Sequence, residues 1–304
     1  MTESVYQPQK PSISPNIVVL MRRFIWKIAV ATLALMMVGS ATRVMNAGLA
    51  CPDWPLCYGQ WIPSQQMNLQ VFLEWFHRLD ASLIGLSTLL LAGLSVWFRK
   101  DLPGWMVPAS IFALGLILLQ GLLGGLTVTQ LLRFDIVTAH LGTAMFFFCT
   151  LIVMAINLTP YQGTAVAGSL VWVSASGALF VYVQSLLGGL VGSRWAAHQC
   201  LGGSQLCQVL HSHIIGVFPT TFTVFVLVFL SLRTPALSPL LKKLSLTAGG
   251  LVLGQILLGV ATLRLHLQVE PLTITHHTVA ALLLGTLVAF TSIAFRDRSL
   301  NYSL

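Results

Sequence analysis

Charge is what this 304-residue sequence has least of. Only 8% of its residues are Asp, Glu, Lys or Arg, against about 25% in an ordinary soluble domain. A chain so poor in charge cannot cover a water-facing surface, which excludes a soluble globular protein. Acids are scarcer than bases, 8 against 16, for a formal charge of +8. That excess is no nucleic-acid footprint, because the basic residues are scattered over separate segments and never form one patch. What the chain has instead is 56% hydrophobic residues and a mean hydropathy of +0.85. The class this implies is an all-α polytopic membrane protein.

A spanning helix needs roughly 20 mostly apolar residues, and on that rule eight spans are expected, near 25–45, 72–98, 105–128, 137–158, 167–191, 209–232, 244–264 and 273–295. The first apolar run is too long for a signal core and no convincing small-residue cleavage site follows it, so it reads as a retained helix. Residues 1–20, with their Pro, Ser and Gln, read as a disordered cytoplasmic tail. All five lysines, with Arg22, Arg23, Arg99, Arg233, Arg296 and Arg298, fall on one side of this arrangement. The positive-inside bias then puts both termini in the cytoplasm. Cys51, Cys57, Cys200 and Cys207 fall in outer loops, on the oxidising side where disulfides persist. Cys149 lies within the fourth span and reads as a small core residue.

The chain repeats itself. VGSATR (38–43) matches LVGSR (190–194), and each is followed by a cysteine pair. EWFHRLDASLIGL (74–86) matches QVLHSHIIGV (208–217). QGLLGGLT (120–127) matches QILLGVAT (255–262), and TAHLGTA (138–144) matches THHTVAA (275–281). Four matches in the same order predict two pseudo-symmetric four-helix bundles, residues 21–160 and 161–304, after the tail. Four spans per half keep the same orientation, so the halves should be related by an axis along the membrane normal.

His77, His140, His211 and His276 each lie about one turn into a helix that runs from outside to inside, two per half and near the outer face. Intramembrane ionisable residues point to function. Two histidines on facing helices of a bundle suit one heme iron. Zinc is the rival, but it wants a third and fourth ligand that only the outer cysteines could supply. The bland alternative is four hydrogen-bonded histidines bridging helix ends. In the second half His211 competes with His213, and His276 with His277. His211 and His213 cannot both face one iron. His211 is preferred, because it keeps the three-residue spacing to Gln208 that His77 keeps to Glu74. His198 and His266 read as solvated loop residues. Glu74 beside His77 becomes Gln208 beside His211, so the first site looks equipped for chemistry and the second for holding a cofactor. Glu74 and Arg78 could equally form an i,i+4 ion pair. Arg43, Arg78 and Arg194 could grip heme propionates or snorkel and anchor loops. Asp80 also sits early in the second span.

AGLACPDWPLC, preceded by Arg43, together with EWFHR, TAH (138–140), the second cysteine pair and PLTITHH (271–277), resembles the heme A synthases. The resemblance covers roughly residues 25–295. It implies eight helices in two halves, and oxidation of the C8 methyl of heme O to the formyl of heme A. It implies heme O between His77 and His140 with Glu74 essential, and a heme b cofactor between His211 and His276. Arg43 and Arg78 are offered to the substrate heme and Arg194 to the cofactor heme. Disulfides are expected at Cys51–Cys57 and Cys200–Cys207, and Cys51–Cys57 reads either as a structural lid or as a redox pair. Membrane lipid surrounds the protein, the enzyme that farnesylates protoheme is an expected transient partner, and self-association stays open. A membrane thiol–quinone oxidoreductase, a diheme b-type electron carrier and a two-repeat transporter are the competing readings.

Overall fold

A computed structural model describes residues 14–192, 205–266 and 268–299. Among them are eight helices long and apolar enough to cross a membrane. They are α1 (Pro15–Val44), α2 (Leu69–Trp97), α3 (Met106–Thr129), α4 (Phe134–Asn157), α5 (Leu170–Val191), α6 (Gln205–Arg233), α7 (Pro239–Arg264) and α8 (Glu270–Ser299). Their starts follow local chemistry. Asn68 caps α2 by accepting the Val71 amide, and Ser238 caps α7 by accepting that of Leu241, with Pro239 at the first helical position, where a missing N–H costs nothing.

The tail expectation is corrected for residues 15–20, which belong to α1. Pro15 opens the helix, residues 17–21 (IVVLM) are themselves apolar, Ile17 and Val18 pack against the core, and Met21 and Ile25 are fully buried, so these turns are held in helical form. Residues 1–13 lie outside the described residues.

Among the first four helices, α1 packs on α2 and α4, and α3 on α2 and α4. Among the second four, α5 packs on α6 and α8, and α7 on α6 and α8. Contacts of α1 with α8, α4 with α8 and α4 with α5 join the two sets. The core lies along the α4–α8 seam, where Phe147, Phe148, Leu151 and Ile152 meet Leu283, Leu284, Leu287 and Phe290. Lipid offers no hydrophobic driving force between helices, so close approach rests on small residues. Gly285 is one, where an added Cβ would lie 3.0 Å from side chains of Phe148 and Ile152. Cys149 packs against this core.

At the opposite end from the histidines, the 157–169 connection is pinned by Asp297, which is fully buried. Its carboxylate accepts the amides of Thr164 (2.6 Å), Val166 (2.9 Å) and Ala167 (2.9 Å) and the Tyr161 hydroxyl (3.0 Å). Asp297→Ala strands these donors, and the expected loss of stability is roughly 3–5 kcal/mol. A melting temperature in detergent unchanged by the substitution would show that the connection is held by something else.

Candidate functional site

One cavity of about 2100 Å³, lined by all eight helices, occupies the end of the protein that carries the cysteine clip. Typical small-molecule sites are roughly 300–1,000 Å³, so this volume exceeds what one ordinary ligand needs. Its walls are mostly apolar, and five histidines stand on them: His77 on α2, His140 on α4, His213 on α6, and His276 and His277 on α8.

Four of these imidazoles, all but His277, are each seated against a glycine of a neighbouring helix. A Cβ on Gly39 of α1 would lie 2.8 Å from His77 Cε1, and one on Gly124 of α3 would lie 3.3 Å from that of His140. A Cβ on Gly188 of α5 would lie 3.1 Å from His213 Cε1, and one on Gly259 of α7 would lie 3.0 Å from that of His276. A Cβ on Gly39 would force the ring to move, and at the other three glycines the ring would have to give by a few tenths of an ångström. Nδ1 of all four rings is buried without a hydrogen-bond partner. Nε2 of His140 lies 3.2 Å from the Gln120 amide nitrogen, and Nε2 of His276 lies 3.2 Å from that of Gln255. An imidazole whose ring is held in one orientation by its neighbours is suited to serve as an axial ligand. Among the described residues no group of three or more His, Cys, Asp or Glu is arranged to hold a metal ion. Histidine pairs therefore fit a heme, whose porphyrin supplies the other four ligands, better than a four-ligand zinc site.

The expectation for His211 is corrected. His213 faces the cavity, while His211 is exposed on another side of α6. Two residues along a helix turn the side chain by about 200°, so one of the pair had to face away. The cavity stripe on α6 is Leu210, His213, Ile214 and Val217, which repeats the spacing of Glu74, His77, Arg78 and Ala81 on α2. Glu74 and Arg78 thus correspond to Leu210 and Ile214, a sharper asymmetry than the amide and hydroxyl the sequence offered. At the other ambiguous position, His276 takes the glycine seat. His277 turns to α1, where its Nδ1 lies 2.8 Å from Ser40 Oγ. His266 is exposed in the turn after α7. His198, Arg194 and the Cys200–Cys207 pairing lie outside the described residues.

The clip belongs to the wall. Cys51 and Cys57 form a disulfide, and both are buried. Trp54 and Pro55 line the cavity, and a Cβ on Gly125 of α3 would lie 3.2 Å from the Trp54 ring. Glu74 and Arg78 hold this loop down, and their side chains are 5% and 15% exposed. Glu74 Oε2 accepts the Cys51 amide (2.8 Å) and Oε1 accepts Arg78 Nη2 (2.6 Å). Arg78 also donates to the carbonyls of Asp53 (2.6 Å), Leu56 (2.5 Å) and Cys51 (3.3 Å). Four of the five guanidinium donors are therefore committed to the loop and to Glu74. This geometry supports the ion-pair reading of Arg78 over a propionate grip. Arg43 lines the cavity and donates Nη2 to the Gly189 carbonyl of α5 (2.5 Å), spanning the two sets of helices. Asp80 is half-buried on α2, away from the cavity wall.

Inside the clip, Asp53 accepts the amides of Tyr58 (2.6 Å) and Gly59 (2.8 Å). Gly59 and Tyr58 both have positive φ, a conformation that such side-chain capping stabilises. The Gly59 and Tyr58 amides, with the Arg78 charge, hold the Asp53 carboxyl below the usual carboxylate range. A depressed pKa adds order above the ordinary value near ~3.9 and loses it as pH falls through the folded value. Hydrogen-exchange protection of the Tyr58 and Gly59 amides, corrected for the intrinsic exchange rate, should therefore be the same at pH 7 and pH 5 and fall only below the ordinary carboxylate value of ~3.9. Protection already falling between pH 7 and 5 would assign the closure to another group.

With this geometry in view, the family model described as COX15-CtaA, cytochrome oxidase assembly protein, matches residues 22–288. The chain belongs to that family. A heme A synthase of Shewanella oneidensis is 30% identical over 85% of this chain and 92% of its own length. A heme A synthase of Caulobacter vibrioides is 27% identical over 88% of this chain and 94% of its own. A protoheme IX farnesyltransferase of Halobacterium salinarum is 30% identical over 41% of this chain, a stretch that makes up 26% of that protein. The family match spans every element of the cavity, from α1 to the histidine-bearing part of α8.

The sequence repeat had flagged Gln120, Gln255, Gly124 and Gly259 without giving them work. Their spacing of four, one amide and one glycine on the same helix face, was the available signal for a histidine seat. The Glu74–Cys51 bond had no sequence signal, because it joins a loop amide to a helix side chain.

Proposed function

We propose that this membrane protein is a heme A synthase, oxidising the C8 methyl group of heme O to the formyl group of heme A. The observation that carries the reading is the pair of histidine couples on one cavity, each ring seated on a glycine, with a buried carboxylate–guanidinium pair beside only one couple. Family membership and the heme A synthases among the relatives support it.

Heme O occupies the first half, residues 21–160, between His77 and His140. In the second half, residues 161–304, His213 and His276 would hold a heme b, which would supply one-electron chemistry there. Glycines 39, 124, 188 and 259 fix the four rings, and Gln120 and Gln255 orient His140 and His276. Glu74 is the catalytic residue. Held in place by Arg78 and the Cys51 amide, its carboxylate is a preorganised negative charge in a dry wall, where it stabilises positive charge that develops as the methyl group is oxidised. The second site has Leu210 and Ile214 at the matching places and so holds its heme without acting on it. Trp54, Pro55 and the Cys51–Cys57 disulfide form a lid that excludes water from the substrate side. Arg43 ties the two sites together through Gly189.

The two halves act as pseudo-symmetric bundles in the cell membrane. The lysine and arginine distribution supports cytoplasmic termini, which places both hemes near the outer face. A transient contact with the enzyme that makes heme O is expected, and the farnesyltransferase likeness is consistent with a shared pathway. The protein purified from a host that makes heme O should carry a Soret band, and its extracted pigment should contain heme b together with heme O or heme A. A colourless protein would sink the reading.

A further inference from the structure

Superimposing the two halves by register shows that their cavities differ in depth. On the first side the wall runs inward from His77 past Gly85 to Leu89 on α2, and as far as Leu114 on α3. On the second side it stops at Thr221 on α6 and Val252 on α7. At 1.5 Å per residue the first wall extends about 18 Å below its histidine and the second about 12 Å.

The difference has a residue-level cause. Aligned on His77 and His213, the cavity residues Ala81, Ser82 and Gly85 of α2 face the same way as Val217, Phe218 and Thr221 of α6. Aligned on Gln120 and Gln255, Gly121 of α3 corresponds to Ile256 of α7. At these four positions the first half carries the smaller side chain, while the cavity pairs Ile84/Thr220 and Ile117/Val252 run the other way. Gly85 and Gly121 are not packing glycines, since a Cβ on either would meet nothing within 4 Å. They leave a cleft between α2 and α3, continuous with the cavity and lined further down by Leu86, Leu89 and Leu118, all exposed. The histidine-seating glycines are kept in both halves, while these two are present only in the first.

We propose that the α2–α3 cleft receives the farnesyl-derived tail of the substrate heme, and that its filling in the second half bars farnesylated heme from the cofactor site. This rests on the heme reading above. Heme O and heme b present the same porphyrin and iron to a histidine pair, so the pairs alone cannot sort them. The tail is the group that distinguishes the two. Lipid chains are as apolar as leucine, so the cleft gains little by burying the tail. Its selectivity is steric: open beside Gly85 and Gly121 in the first half, narrowed by the side chains of Thr221 and Ile256 in the second.

The test fills one cleft and opens the other in the full chain, expressed in a host making heme O, with extracted hemes separated by chromatography. Gly85→Thr with Gly121→Ile places side chains in open space, so the fold and the heme b content should persist. Forcing the tail against them should lower farnesylated heme relative to heme b by roughly tenfold or more. Thr221→Gly with Ile256→Gly should raise the farnesylated share above that of the parent, and it decides the matter even if the filled variant does not fold. Parental ratios in a folded filled variant, or in the opened one, would overturn the tail assignment while leaving the heme reading intact. A parent protein that holds heme b but never farnesylated heme would overturn both.

Discussion

Replacing Glu74 by glutamine should reduce heme A formation by roughly 10²–10³-fold, the scale seen when one preorganised electrostatic group is removed from a catalytic site. The substitution keeps the shape of the side chain and its acceptor for the Cys51 amide, but deletes the charge that faces Arg78 at 2.6 Å. Arg78 is then a buried cation bound only to carbonyls, and breaking such a pair costs about 3–5 kcal/mol. Two effects therefore coincide, loss of transition-state stabilisation and a loosened clip, and they separate by measurement. The second histidine couple is independent of Glu74, so heme b content should be preserved while turnover is lost. If Arg78→Lys, which weakens the clip but leaves Glu74 charged, were as inactive as Glu74→Gln, the carboxylate would be a positioning residue only. Full activity in Glu74→Gln would remove it from the mechanism.

The second large effect is a contrast between neighbours. His213→Ala should remove the heme of the second half, because the one cavity-facing imidazole of α6 is gone. His211→Ala, on the exposed side of the same helix, should retain it. Gly188→Val should resemble His213→Ala in milder form, since even a Cβ there approaches the His213 ring to 3.1 Å. Heme b quantified after purification reads all three. Retention in His213→Ala together with loss in His211→Ala would reverse the assignment.

The helices were legible because lipid imposes one simple rule, a sustained apolar run, and all eight meet it. Their ends were less legible. The start of α1 at Pro15 takes in the apolar stretch IVVLM at 17–21, which Arg22 and Arg23 separate from the longer run, so the pair of charges masked it. Three of the four glycine-seated histidines were legible for a similar reason: an ionisable residue stands out in an apolar helix. The fourth was not. QVLHSH offers two histidines, and Gln208 mimics the spacing of Glu74 well enough to favour His211. The better guide was the whole stripe: Leu210, His213, Ile214 and Val217 recur at the helical spacing of three, four and seven, and the polar pair of the first half has turned apolar. The clip could be read as a lid, with Trp54 and Pro55 now on the cavity wall. Its attachment to Glu74 and Arg78 could not, because backbone amides and carbonyls have no sequence signature.

The most direct test is made in a bacterial host that makes heme O and lacks heme A. Expression of the full chain should cause heme A to appear in the extracted membrane pigments, with heme O falling in parallel, and Glu74→Gln should leave heme O unconverted. Protein that is present and carries heme, in membranes that contain heme O and no heme A, would contradict the account.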